Sequence, residues 1–322
     1  MRMQATVSAD SVNHAIRPGS PRASAEAALY GGVYSFLRRK FSQDFEHPEV
    51  DVVVTGVPFD LATTGRAGTR FGPAALRAAS AHLGWEQARW PWGFRVFERL
   101  GVIDCGDVGF ESGSPASMVD NLQAHARQVL AAGKILLTLG GDHFIALPLL
   151  REHARRFGAL SLIHFDAHTD TYTQGGPYDH GTMFHQALRE GVIDPQHSVQ
   201  IGIRTEYDRA AHRFTALEAD WVNDHGAAAT SAAIRRVVGA RPAYLSFDID
   251  CLDPAYAPGT GTPVCGGLSS DLALKIVRGL VDVNLVGMDL VEVAPPYDHA
   301  DITALAGATL ALEFLYLLAA RR

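Results

Sequence analysis

Cysteine is scarce in this chain, with Cys105, Cys251 and Cys265 the only three in 322 residues. An odd, widely spaced set supplies neither a disulfide framework nor a thiolate zinc site. With no charged-then-apolar leader at the N-terminus, a reducing cytoplasm is the expected home. Positive charge is also short: Lys and Arg total 28 against 35 Asp and Glu, a net charge of −7. Binding nucleic acid or an anionic membrane usually takes a basic face, so neither is expected as a partner. Net acidity favours cationic ligands instead. Long apolar runs are missing too, since no stretch reaches the roughly 18 uninterrupted apolar residues of a membrane span. The nearest, 304–320, is broken by Glu313 and reads as a final core-packing helix.

What is present is the composition of a globular protein, 47% hydrophobic and 20% charged. Short runs rich in Val, Ile and Leu recur at 51–57, 100–104, 135–139, 160–165, 199–203, 243–247 and 286–291, with a weaker one near 220–223. Helical patterns fall between them, at 73–81, 117–132, 146–157, 230–238 and 270–279. Strands that are apolar throughout and alternate with helices indicate a parallel sheet covered on both faces. The expectation is one three-layer α/β/α domain over 51–322 with a central eight-stranded parallel sheet. A closed (β/α)₈ barrel is the rival architecture. Residues 1–50 read as an N-terminal arm, partly flexible or contacting another subunit. Its first 28 residues are rich in Ala, Ser and Arg and slightly resemble a transit segment.

Polar residues gather just beyond the ends of these strands, at 140–143, 166–170, 248–253 and 292. In parallel α/β folds ligands bind beyond the carboxyl ends of the strands, so these groups should converge on one site. In HFDAHTD, spacing of two places Asp166, His168 and Asp170 on the same side of an extended segment. Asp248 and Asp250 repeat the device in SFDID, and His143 follows the run ILLTL through a Gly-Gly turn in GGDH. The turn suggests backbone angles open only to glycine. Four aspartates on adjacent strand ends would repel, and several would have strongly raised pKa values. No lysine stands in these motifs to relieve them, whereas two divalent cations would. Mixed oxygen and imidazole ligands favour Mn²⁺ over thiolate-selected metals.

The blocks GGDH, FDAHTDTY, SFDIDCLDPAYAPGTGTP and MDLVEVAP, in that order, resemble the signatures of the ureohydrolase (arginase/agmatinase) family. The resemblance runs from about residue 51 to the C-terminus, and YDHGTMF, SVQIGIRTEYD and DIDCLDPA lean to its agmatinase branch. It implies an open eight-stranded arginase-like sheet, a trimer or hexamer, and two metal ions per subunit. One ion would be held by His143, Asp166, Asp170 and Asp248, the other by Asp166, His168, Asp248 and Asp250, with Asp166 and Asp248 bridging. The implied reaction is hydrolysis of agmatine to putrescine and urea by a metal-bridging hydroxide. Two cations about 3.5–4 Å apart lower the pKa of a bridging water.

A guanidinium is itself cationic and needs a carboxylate to hold it. Glu292, at the end of VGMDLVEV, fits through paired hydrogen bonds and matches the family's guanidinium-binding glutamate. His180 in YDHGTMF matches a histidine proposed to carry protons to the departing amine, since imidazole titrates near neutrality. His164, on an apolar run, reads as a satisfied core residue; His14, His47 and His299 read as solvated. The run 254–267, rich in Gly and Pro, reads as a rigid loop walling the site. It holds no lysine and no strand–GxxxxGK–helix context, which excludes a phosphate cradle. The alternative substrate is another guanidino compound, such as guanidinobutyrate, guanidinopropionate or arginine. Asp179, Glu206 and Asp208 favour an ammonium tail, while Arg66 and Arg204 would favour a carboxylate.

Overall fold

The computed structural model describes residues 32–85 and 88–322. Residues 1–31, most of the expected arm together with His14, lie outside them. Apolar runs become strands because both faces of the sheet are buried, where an unpartnered polar side chain is costly. Seven of the expected runs do so. They form β2 (Val52–Val57), β3 (Val102–Asp107), β4 (Ile135–Gly140), β5 (Ser161–Phe165), β6 (Val199–Ile203), β8 (Ala243–Asp248) and β9 (Leu285–Val291).

The sheet has nine strands rather than eight. The added strand, β1 (Lys40–Phe41), is two residues long with both side chains exposed, so it carries no hydrophobic signature. It pairs with β3 from within the expected arm, where Phe36 and Leu37 are also buried. The weak run at 220–223 is not a strand. Its apolar residues start helix α5 (Ala219–Val238), and the edge strand β7 lies just before it at Thr215–Glu218 with only Leu217 buried. Helix α5 is also longer than expected and kinks at Gly226, whose φ is +74°.

All pairings are parallel, in the order β1-β3-β2-β4-β9-β8-β5-β6-β7, which leaves β1 and β7 as open edges and rules out the barrel. Alternate residues of each strand feed two cores. Val52, Val54, Leu137 and Leu139 pack under α1 (Gly72–Ser80), α5, α6 (Ser270–Arg278) and α7 (Ile302–Ala320). Val53, Val57 and Leu136 pack under α2 (Pro115–Ala131), α3 (Ala146–Phe157) and α4 (Met183–Glu190). The three layers expected from sequence are present. Helix α7 is long and apolar enough to cross a membrane, yet 83% of its apolar stretch is buried in the protein. Its one acid, Glu313, is fully buried among Arg89, Arg278 and the Trp92 Nε1–H. That pairing is what lets a charged residue sit within a core helix.

His153 on α3 shows how tightly the layers meet. Its Nδ1 donates to Leu149 O at 2.8 Å, and its Nε2 lies against Gly287 of β9, where a Cβ would come within 2.3 Å. Burial pushes this imidazole down from about 6.5 to about 4. The unfolded chain therefore takes up a proton near pH 6.5 that the folded protein refuses until about pH 4. The stabilisation is complete above about pH 6.5 and is lost as pH falls through that window, by up to about 3 kcal/mol. Urea unfolding at stepped pH should show this loss in the wild type and a shallower one in His153→Leu; parallel curves would contradict it.

Candidate functional site

Strands β4, β9, β8 and β5 are consecutive neighbours at the centre of the sheet. Their carboxyl ends deliver His143, Glu292, the pair Asp248 and Asp250, and the trio Asp166, His168 and Asp170. Sequence order scatters these residues over 150 positions, and sheet order brings them together. The Gly-Gly turn before His143 works differently from expectation. Neither Gly140 nor Gly141 has a positive φ. A Cβ on Gly141 would instead fall 1.8 Å from Phe59 O, so the need is for close backbone approach. Asp142 then caps the turn that carries His143, accepting from Phe144 N at 3.1 Å, and accepts Ala62 N at 2.9 Å.

All six predicted ligands are within one cluster. His143 Nδ1 lies 2.9 Å from Asp170 Oδ2, 3.2 Å from Asp166 Oδ2 and 3.4 Å from Asp248 Oδ2. His168 Nδ1 lies 3.1 Å from Asp250 Oδ2 and 3.3 Å from Asp166 Oδ1. Asp166 thus turns one oxygen to each histidine, the arrangement of a bridging carboxylate. Two groupings able to hold an ion share it: His143, His164, Asp166 and Asp170, and Asp166, His168 and Asp250. Asp248 stands beside both, with Oδ1 accepting Asp250 N at 2.7 Å.

The electrostatics follow the crowding. Burial, and then the neighbouring aspartates, raise the carboxyls of Asp170, Asp248 and Asp250. Burial also opposes ionisation of Asp166, but His164, His143 and His168 outweigh it and hold that carboxyl well below its usual range. Three of four carboxylates are therefore short of positive charge.

His143 shows what would supply it. Its Nε2 is 2.8 Å from Ser246 Oγ, which donates at 2.7 Å to Asp289 Oδ1, while Tyr244 OH donates to Asp289 Oδ2 at 2.9 Å. With both its oxygens accepting, Asp289 fixes the Ser246 proton and leaves Ser246 Oγ to accept from Nε2–H. The ring therefore turns Nδ1 to the carboxylates, where that buried nitrogen makes no aligned hydrogen bond. An imidazole nitrogen aimed between three carboxylate oxygens fits a divalent cation, and Asp166 offers a second cation its other oxygen.

Glu292 and His180 complete the site. Glu292 has φ +63° and Asp170 φ +51°, strained values for residues with side chains, retained at the two places where chain direction aims a carboxylate inward. Glu292 Oε1 accepts His143 N at 2.8 Å and His180 Nδ1–H at 2.9 Å. Its Oε2 is buried without a partner, and the space before it stays open because residue 261 is glycine, whose Cβ would sit 3.6 Å away. Burial lowers the His180 imidazole, but Glu292 beside it raises the pKa to about 9.

Sequence reasoning missed Ser246, Asp289 and Tyr244, which act through His143 rather than as ligands. An acid inside the apolar run VGMDLV was the available signal for Asp289. His164 is the satisfied core residue expected, between Asp166 Oδ2 at 2.7 Å and the Gln200 amide at 2.8 Å. Cys251 is buried against Gly202, where a Cβ would meet its Sγ at 2.7 Å, and so packs. His47 and His299 are exposed. If the Ser246 contact sets the His143 tautomer, Ser246→Ala should weaken Mn²⁺ binding about 10–100-fold without unfolding the protein. Metal titration with elemental analysis measures this, and unchanged affinity would contradict it.

Comparison with known proteins agrees with this geometry. The arginase family model matches residues 50–316. The chain is 60% identical over 295 residues to an agmatinase of Edwardsiella ictaluri, covering 92% of this chain and 97% of that one. Among solved structures, a hypothetical agmatinase from Burkholderia thailandensis superposes with TM-score 0.88 at 55% identity, covering 91% and 93% of the two chains. Proclavaminate amidino hydrolase from Streptomyces clavuligerus superposes with TM-score 0.87 at 38% identity, covering 92% of this chain and all of that one. The chain belongs to the arginase family and is a hydrolase acting on a guanidino compound.

Proposed function

We propose that this protein is an agmatine ureohydrolase with two divalent cations, Mn²⁺ by the ligand chemistry, releasing urea and putrescine. The observation that carries the reading is Glu292 Oε2, buried and without a partner beside the metal cluster. A buried, unpaired carboxylate oxygen is costly, and a planar guanidinium repays that cost with charge-assisted hydrogen bonds. The bound cations would supply an activated water and take no guanidinium themselves. His143, Asp166, Asp170 and Asp248 would hold one, and Asp166, His168, Asp248 and Asp250 the other. Glu292 orients the substrate through Oε2 while its Oε1 stays tied to His143 N and His180. His180 is the group that moves protons towards the departing nitrogen.

The tail preference rests on where the nearby cations are spent. Arg204 commits all three guanidinium nitrogens to backbone carbonyls of Gly202, Asp250, Cys251, Leu252 and Val264. Arg66 donates to Thr260 O and Gly261 O and stacks on Tyr297, 4.3 Å from the ring centre. Both arginines brace the loop 254–267, which leaves them poor partners for a substrate carboxylate. Glu206 stays exposed beside Thr205, which bonds Ala167 O, while Asp208 is occupied capping Ala210 N and Ala211 N. An ammonium tail therefore suits the site, as does the agmatinase name carried by the relative at 60% identity.

Incubated with agmatine, the Mn²⁺-loaded protein should release urea and putrescine in equal amounts, with Asp248→Asn inactive. Guanidinobutyrate should be a worse substrate by at least about tenfold in kcat/KM, which corresponds to about 1.4 kcal/mol. No urea above the Asp248→Asn control would overturn the proposal. A guanidino acid preferred to agmatine would overturn its tail assignment.

A further inference from the structure

His180 has two ring nitrogens and one is already committed. Nδ1–H donates to Glu292 Oε1 at 2.9 Å, so the lone pair is on Nε2. That lone pair faces Thr64, with Thr64 N–H donating at 3.0 Å and Thr64 Oγ1 at 2.8 Å. Backbone N–H groups only donate, so the Thr64 N–H contact selects the neutral Nδ1–H tautomer for this arrangement, while Glu292 on the other side favours a second proton on the ring. His180 itself is only 9% exposed, while Thr64 is exposed. The hydroxyl of Thr64 thus stands between solvent and the sole nitrogen of His180 free to accept a proton.

The position is braced from several sides. His180 N donates to Ala62 O at 3.2 Å, and Tyr297 OH donates to Ala67 O at 3.0 Å. Gly68 N donates to Asp60 Oδ2 at 2.9 Å, and Arg66 ties the same segment to Thr260 O at 2.8 Å. A segment held at four points around one exposed threonine fixes where its hydroxyl goes.

We infer that the Thr64 hydroxyl is the proton conduit between solvent and His180, a function the backbone N–H beside it cannot perform. A hydroxyl donates to neutral Nε2 and, after rotation, accepts from protonated Nε2–H, whereas an N–H does only the first. This inference rests on the guanidinium-hydrolysis reading. In that reaction RNH–C(NH₂)₂⁺ and water give urea and RNH₃⁺, so both water hydrogens end on the departing nitrogen and no proton is consumed. The water oxygen bonds to the guanidinium carbon, and the bond from that carbon to the departing nitrogen breaks. Starting from the neutral tautomer, Nδ1–H passes through Glu292 Oε1 to that nitrogen, and the hydroxyl hydrogen left on the attacking oxygen supplies its second proton. Thr64 Oγ1–H passes to Nε2, and solvent reprotonates Oγ1. Ionisation of the next water returns a proton to Nδ1 and drives one out through Thr64, which closes the cycle. Glu292 at the end of β9 is the acid in contact with His180, and Asp142 and Asp170 act on it through space. Thr64 contributes no charge of its own.

Thr64→Val keeps the shape and the backbone N–H and deletes only the hydroxyl; Thr64→Ser keeps the hydroxyl. With agmatine, Thr64→Val should lose about 100-fold in kcat, the scale of one positioned proton transfer. Its KM and Mn²⁺ content should stay at wild-type values. Thr64→Ser should retain most of the activity, and imidazole added to the buffer should restore Thr64→Val but not accelerate the wild type. Wild-type kcat in Thr64→Val overturns the inference. So does a loss that comes with raised KM or that imidazole does not relieve, which marks Thr64 as a shaper of the loop. If the wild type releases no urea, the functional reading itself has failed. In that case ¹⁵N spectra of the His180 ring decide: a shifted Nε2 signal in Thr64→Val supports the hydroxyl contact, and identical spectra overturn it.

Discussion

Like charges brought close together in a water-poor pocket must be offset or neutralised, and here that requirement falls on four aspartates within a few ångströms of one another. Burial and mutual repulsion push three of their carboxyls up, and only Asp166, flanked by three imidazoles, is held down. The fold assembles this cluster by placing strands β4, β9, β8 and β5 side by side, so the repulsion is built into the sheet order. On the proposed reading two bound cations would offset that repulsion, and the aim of His143 Nδ1 and the two-sided presentation of Asp166 suit them.

Around this centre, hydrogen bonds from outside the cluster settle the orientation of its side chains. Asp289 fixes Ser246, which fixes the His143 ring; Gln200 fixes His164, which fixes Asp166. Backbone N–H groups of Ala167, His168 and Asp250 take the remaining aspartate lone pairs. Glu292 is the exception, since one of its oxygens keeps no partner, and the proposed function seats the guanidinium there. The same economy explains Arg204 and Arg66. Each is fixed to carbonyls of the loop 254–267, which stiffens the wall of the site without placing a free cation where an ammonium tail would come.

Much of this was legible in the sequence, for identifiable reasons. Runs dominated by Val, Ile and Leu, such as 135–139, mark buried strands because an unpartnered polar side chain is costly there. Spacing of two picked out Asp166, His168 and Asp170, although they lie in a bend beyond β5, with Asp170 at φ +51°, rather than on an extended segment. What stayed hidden lacked such a constraint. Lys40–Phe41 is too short and exposed to show a pattern, Thr215–Glu218 buries a single residue, and α4 is only eight residues long. Ser246, Asp289 and Thr64 matter through contacts with residues 103, 43 and 116 positions away, which no local window contains. The role of the Gly-Gly turn was misjudged because a tight approach to the Phe59 backbone leaves no trace in the neighbouring residues.

The proposed function requires this cluster to hold two divalent cations. Anomalous diffraction at the manganese edge from crystals grown with Mn²⁺ tests it most directly. The account predicts two peaks per subunit about 3.5–4 Å apart, on either side of Asp166, one beside His143 and one beside His168. A single peak, or manganese bound elsewhere with the six side chains unligated, would contradict it.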